Sequence, residues 1–120
     1  STRLSDTGLV LSFMEEDDIP FENIVSIVKD FKIDVAGIMH TDVNAVSDSL
    51  KVLKNFFDGP LMVYPDSGGW VSPNWDFDRV IQPKQLKSFA EKWVDEGVNI
   101  IGGCCGLSPN HIKEIAQLKD

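Results

Sequence analysis

Short apolar runs alternate with amphipathic stretches along the chain. "GLVLSF" (residues 8–13) reads as a buried strand, and Ile24, Ile27, Val28 and Phe31 then recur at helical spacing. "IDVAGIM" (residues 33–39) reads as a second strand. Val43, Val46, Leu50, Leu53 and Phe57 form the next helical stripe, with Thr41 or Asp42 as its N-cap. "LMVY" (residues 61–64), entered through the turn pair Gly59-Pro60, is a third strand. Leu86, Phe89, Ala90, Trp93 and Val94 make a third stripe that stops near Gly97. "VNII" (residues 98–101) is a fourth strand. Ser108 and Pro109 open a last helix as N-cap and first-turn proline, with Ile112, Ile115 and Ala116 facing inward.

This order predicts an α/β fold of four βα units, (βα)4, with parallel strands and crossover helices. Two architectures fit: a small doubly wound sheet of flavodoxin-like type, or one half of a (β/α)8 TIM-type barrel, whose full form needs about 250 residues. Both place chemistry at the carboxyl ends of the strands. "MH" follows the second strand there, "YPDSGG" the third and "GGCCG" the fourth. The loop over residues 65–82 is long and carries Trp70 and Trp75, read as covers for a pocket or an interface.

With 120 residues the chain reads as a single domain, 1–120. A hydrophobic fraction of 42% and a charged fraction of 25% are those of a soluble globular protein. The net charge of −8 argues against nucleic acid as a partner. No apolar run approaches the roughly 20 residues of a membrane helix, and "STRLSDTGLV" lacks the features of a signal peptide. Two cysteines do not make a disulfide framework, so cytoplasmic residence is expected. Ser in place of Met at position 1 suggests a processed or excised fragment. The acidic run "EEDD" (residues 15–18) reads as a solvated loop.

Cys104 and Cys105 are adjacent in "NIIGGCCGLSPNHI" and are the only cysteines. A regular strand sends neighbouring side chains to opposite faces, but Gly102, Gly103 and Gly106 allow a turn in which both sulfurs face one point. That arrangement suits a metal such as Zn2+. The histidine at a strand end is His40, two strands away and roughly 10 Å distant at ordinary inter-strand spacing. His111, in the first turn of the last helix, is expected to face solvent. Three other readings stand beside the metal site: two packing cysteines, a vicinal disulfide, and a phosphate-binding turn. The last matches neither G-x-G-x-x-G nor a Walker A pattern.

"GGCCG" followed by "SPNHI" resembles the C-terminal signature of the homocysteine S-methyltransferase family of zinc-dependent thiol methyltransferases. "LSFMEED" resembles the family's fifth strand, "VAGIMHTDVNAV" stands where the family has a Gly-x-Asn-Cys strand end, and "LMVYPDSGG" resembles its Tyr-Pro-Asn-Ser-Gly segment. The resemblance implies the C-terminal half of a homocysteine-binding barrel, strands five to eight. It implies zinc held by His40, Cys104 and Cys105, with His40 replacing a family cysteine. Tyr64, Asp66, Ser67 and Gly103 become the expected substrate-binding residues. Asp66 stands in place of an asparagine and is read either as an acceptor for the His40 ring N–H or as a turn residue. Met39 also departs from the family's asparagine.

The implied reaction is methyl transfer to homocysteine, or a similar thiol, giving methionine. The methyl donor is left open among folate, cobamide, betaine and sulfonium compounds. An imidazole in place of one thiolate makes the site less anionic, which lowers the thiol's pKa and weakens its sulfur as a nucleophile. Four strands leave two open edges, so a homodimer or pairing with an N-terminal half-barrel is expected, and activity is expected to need the missing half. The alternative function is a non-catalytic zinc-binding half-barrel acting in assembly.

Overall fold

The computed structural model describes residues 1–13 and 17–119. Its centre is a parallel sheet of β3 (Ala36–Asp42), β4 (Leu61–Asp66) and β7 (Val98–Ile101), in the spatial order β3-β4-β7. Helix α2 (Val46–Leu53) connects the first two strands, and α3 (Pro83–Asp95) connects the next two. Helix α4 (Pro109–Ile115) follows β7 and packs on α3. Three of the four predicted parallel strands are therefore in one α/β sheet.

The first predicted strand behaves differently. Its residues form β2 (Val10–Ser12), which pairs antiparallel with β1 (Thr2–Leu4) rather than joining the sheet. The reason is local. Gly8 takes a positive φ of 81° and its N–H bonds the Ser5 carbonyl, so a tight turn closes this hairpin with little loop entropy. The hairpin rests against β3 and α2. The Thr2 N–H donates to Thr41 Oγ1 at 3.0 Å, and Thr2 Oγ1 lies 2.7 Å from Ser49 Oγ.

The core is the helix-covered face of the sheet. Ile38 and Val63 meet Leu50 and Leu53 of α2 and Leu86, Ala90 and Trp93 of α3. The predicted stripes of α2 and α3 thus supply the core, except that Val94 is exposed and Phe57 and Phe89 are half-buried. Helix α2 starts later than expected. Its N-cap is Ala45, while Thr41 is taken by the hairpin and Asp42 accepts the Asn44 N–H.

Two helical stripes turn out differently. Helix α1 (Phe21–Val25) is short and continues as a 3-10 turn, and it buries Phe21 and Val25 while Ile24, Ile27 and Phe31 are exposed. Phe21 and Val25 are four apart and point together, and the tighter 3-10 winding rotates later residues off that face. In α4, Ile115 is buried as expected, but Ile112 and Ala116 are exposed. They border a cavity of about 340 Å3 beside β7, an edge strand among the described residues.

The loop over residues 65–82 is ordered by its own contacts. It holds a small hairpin of β5 (Trp70–Val71) and β6 (Asn74–Trp75) and a 3-10 turn over Phe77–Arg79. Trp70 is exposed, whereas Trp75 is half-buried and donates its indole N–H to the Ser67 carbonyl. Of the acidic run, Asp18 pairs with Arg3 at 2.6 Å; Glu15 and Glu16 lie outside the described residues.

Candidate metal centre

Two local irregularities bring distant side chains together at the carboxyl end of the sheet. In β3, Met39 pairs with Tyr64 and Asp42 with Asp66. Three steps along β3 thus oppose two along β4, which is a one-residue bulge. His40 sits in it with a positive φ of 47°. A histidine tolerates this left-handed region better than most residues, and a bulge re-aims a side chain that regular alternation would send elsewhere.

Beyond β7 the chain keeps running alongside β4. The Gly102 N–H donates to the Val63 carbonyl, Cys104 N–H to the Pro65 carbonyl at 2.7 Å, and Ser67 N–H to the Cys105 carbonyl at 3.0 Å. Parallel pairing is thus carried through the cysteines themselves. Gly106 then turns the backbone with φ 78°, and a Cβ there would collide with the Ser67 carbonyl. Gly102 is needed for a different reason: the Tyr64 ring lies over it where a side chain would be.

His40 Nδ1 lies 3.7 Å from Cys104 Sγ and 3.8 Å from Cys105 Sγ, and the two sulfurs are 3.8 Å apart. Both thiols are free, their sulfurs too far apart for a bond, and both are half-buried, unlike packing cysteines. Among the described residues, this trio is the group whose donor atoms all fall within 4.8 Å of one another. The donors fit zinc in kind and in spacing. Ligands about 2.3 Å from a tetrahedral centre are separated by about 3.8 Å along an edge. Three protein ligands are also the number that leaves a fourth position open.

The surroundings tune this trio. Asp66 is buried, and its Oδ2 lies 3.3 Å from His40 Nδ1. Burial pushes the Asp66 carboxyl up, opposed by His40 and reinforced by Asp42. The Cys105 thiol is also pushed up, first by burial, then by its hydrogen bond with Cys104 and the nearby negative charges. Phe13 and Trp75 place their rings 4.7 Å and 6.4 Å from the His40 ring. Phe13 packing on His40 is a contact that the sequence does not signal, because it depends on where the β1–β2 hairpin docks.

The other expected site residues fall as follows. Tyr64 is exposed beside Gly102. Ser67 is buried, its Oγ accepting the Ile81 N–H at 3.0 Å. Gly103 faces Leu107 and Ile112. His111 departs from expectation: it is only 5% exposed. The reason is a complete set of hydrogen bonds. Its Nδ1 accepts the Ser108 N–H at 3.0 Å and its Nε2 meets the Ile81 carbonyl at 2.7 Å.

Over residues 8–118 the chain matches the family model described as homocysteine S-methyltransferase. The chain belongs to the homocysteine S-methyltransferase family. Homocysteine S-methyltransferase 1 of Saccharomyces cerevisiae is 36% identical over 93 residues, covering 70% of this chain and 27% of that protein. Homocysteine S-methyltransferase 2 of Arabidopsis thaliana is 30% identical over 91 residues, covering 70% of this chain and 26% of that protein. Selenocysteine Se-methyltransferase of Brassica oleracea var. italica is 30% identical over 87 residues, covering 70% and 25%. The chain therefore spans about a quarter of the length of these relatives. No helix among the described residues is long and apolar enough to cross a membrane.

Proposed function

We propose that this chain is the C-terminal, metal-binding half of a (β/α)8 thiol methyltransferase, acting in methyl transfer to homocysteine to give methionine. The observation that carries the reading is the meeting of His40 Nδ1 with the sulfurs of Cys104 and Cys105 at the strand ends. His40, Cys104 and Cys105 would hold zinc, which when bound supplies a Lewis acid that makes a coordinated thiol a thiolate at neutral pH.

The chain's own side chains do the remaining work. The half-buried thiols and His40 leave the site open to a small thiol from solvent. Asp66 Oδ2 lies 3.3 Å from the same His40 nitrogen that faces the thiols, so it would stand beside the metal rather than accept the other ring N–H as expected, while the Phe13 ring packs near the imidazole. Tyr64 presents an exposed hydroxyl, and Ser67 fixes the loop beside the cysteines. The sheet's open face and the free β7 edge need a complementary body. The reading therefore includes a homodimer or an N-terminal half-barrel, with catalysis confined to that assembly and the whole placed in the cytoplasm.

Metal analysis of the purified chain tests this. The expected result is one zinc per chain, lost in His40→Ala and in Cys104→Ser. X-ray absorption at the zinc edge should change when homocysteine is added. Unchanged metal content in both variants overturns the site. Zinc that is bound but insensitive to homocysteine favours the non-catalytic, assembly-type half-barrel. A stable monomer by light scattering at micromolar concentration removes the pairing.

A further inference from the structure

The cysteine turn is one side of a closed loop of contacts. Ser67 N–H donates to the Cys105 carbonyl at 3.0 Å, and Ser67 Oγ accepts the Ile81 N–H at 3.0 Å. The carbonyl of that same Ile81 receives His111 Nε2 at 2.7 Å. His111 lies on the first turn of α4, and the short segment through Gly106 joins it back to Cys105. With Nδ1 accepting the Ser108 N–H, Nε2 is the ring nitrogen that donates to the Ile81 carbonyl. A helix cap alone needs the Ser108 contact; it does not need the bond to Ile81, across 30 residues of sequence.

We propose that His111 is a positioning residue for the Cys104–Cys105 turn. Its Nε2–H clamps the end of the 65–82 loop, and through Ile81 and Ser67 that clamp holds the cysteine backbone against β4. The two thiols are thereby kept on the His40 side rather than free to turn away. The consequence for metal affinity rests on the zinc reading above; the clamp itself does not.

The test uses the full chain and two measurements. In the metal-free protein, amide hydrogen exchange is followed at Ser67, Cys104 and, as a core reference, Val63. Zinc affinity is measured separately by competition with a chelator. His111→Ala is expected to speed exchange at Ser67 and Cys104 about tenfold more than at Val63, and to weaken zinc binding about tenfold. His111→Gln, whose amide can both accept from Ser108 and donate to Ile81, should restore both measurements. Ser108→Ala, which disturbs the cap and spares the Ile81 bond, should leave the turn's exchange unchanged.

If His111→Ala does not fold, His111→Asn takes its place, being too short to reach Ile81. Equal acceleration at Ser67, Cys104 and Val63 overturns the proposal. So does a Ser108→Ala variant that matches His111→Ala. If the wild-type chain binds no zinc while the exchange pattern holds, the metal reading falls and the clamp stands.

Discussion

Alternate residues of the same strands meet opposite surroundings on the two faces of the sheet. Ile38 and Val63 are at most 1% exposed under α2 and α3. Their neighbours Met39 and Tyr64, with Ile100 on the same face, are 49%, 39% and 45% exposed. Both faces are apolar, which is the pattern of a strand meant to be covered on both sides. Among the described residues, only one face has a cover. The covered face carries the stability of this chain, and the open face is the one a complementary body would cover. His40, Cys104 and Cys105 gather at the carboxyl ends of these strands.

Substitutions can separate these roles. Trp93→Ala, on the covered side, should cost about 3–5 kcal/mol in urea denaturation. Met39→Ala, on the open face, should change stability by less than about 0.5 kcal/mol. A comparable loss at Met39 would mean that the open face is already covered in solution.

At the strand ends, Gly106→Ala forces a side chain into the left-handed region and against Ser67. A loss of about 3 kcal/mol is expected, measured by thermal unfolding. Thr41→Val would leave the Thr2 N–H without its acceptor. Urea denaturation should show a loss of about 2 kcal/mol, with faster proteolysis of residues 1–13.

The smallest effect is expected in the loop. The Arg79 guanidinium bonds Asp76 and holds its carboxyl below the usual range. A lowered folded-state pKa means that the fold favours the carboxylate. This contribution is complete above the ordinary carboxylate pKa and is lost as pH falls through the lowered one. Arg79→Ala should move Asp76 back toward its ordinary value in an NMR titration and flatten that acid limb. An unmoved Asp76 would show that the pair does not form.

Much of the fold is legible because burial follows periodicity. Most of the α2 and α3 stripes and the strand "VNII" are found where the spacing puts them, Val94 being an exposed exception. The short helix after Pro20 is less legible, since the expected stripe of Ile24, Ile27, Val28 and Phe31 is not the face that finds the core. Phe21 and Val25 won that contact. The nearness of His40 to the cysteines could be anticipated from strand ends and residue type. The means could not: a bulge is a pairing event between two strands, and no local sequence rule places it at residue 40.

His111 teaches the converse. A polar residue in a first helical turn ordinarily points to water, and only the arrival of the Ile81 carbonyl, from a loop 30 residues away, makes its burial favourable. The amino-acid sequence alone determined the alternation of strands and helices, the glycines that let adjacent thiols turn together, and the family signature. Tertiary structure decided which face of the sheet is covered, that β2 pairs with β1, and that one imidazole joins the thiols while the other is buried as a clamp. The reason is range: propensity and periodicity act over a few residues, whereas register, docking and hydrogen-bond satisfaction are settled only when distant segments compete for the same partners.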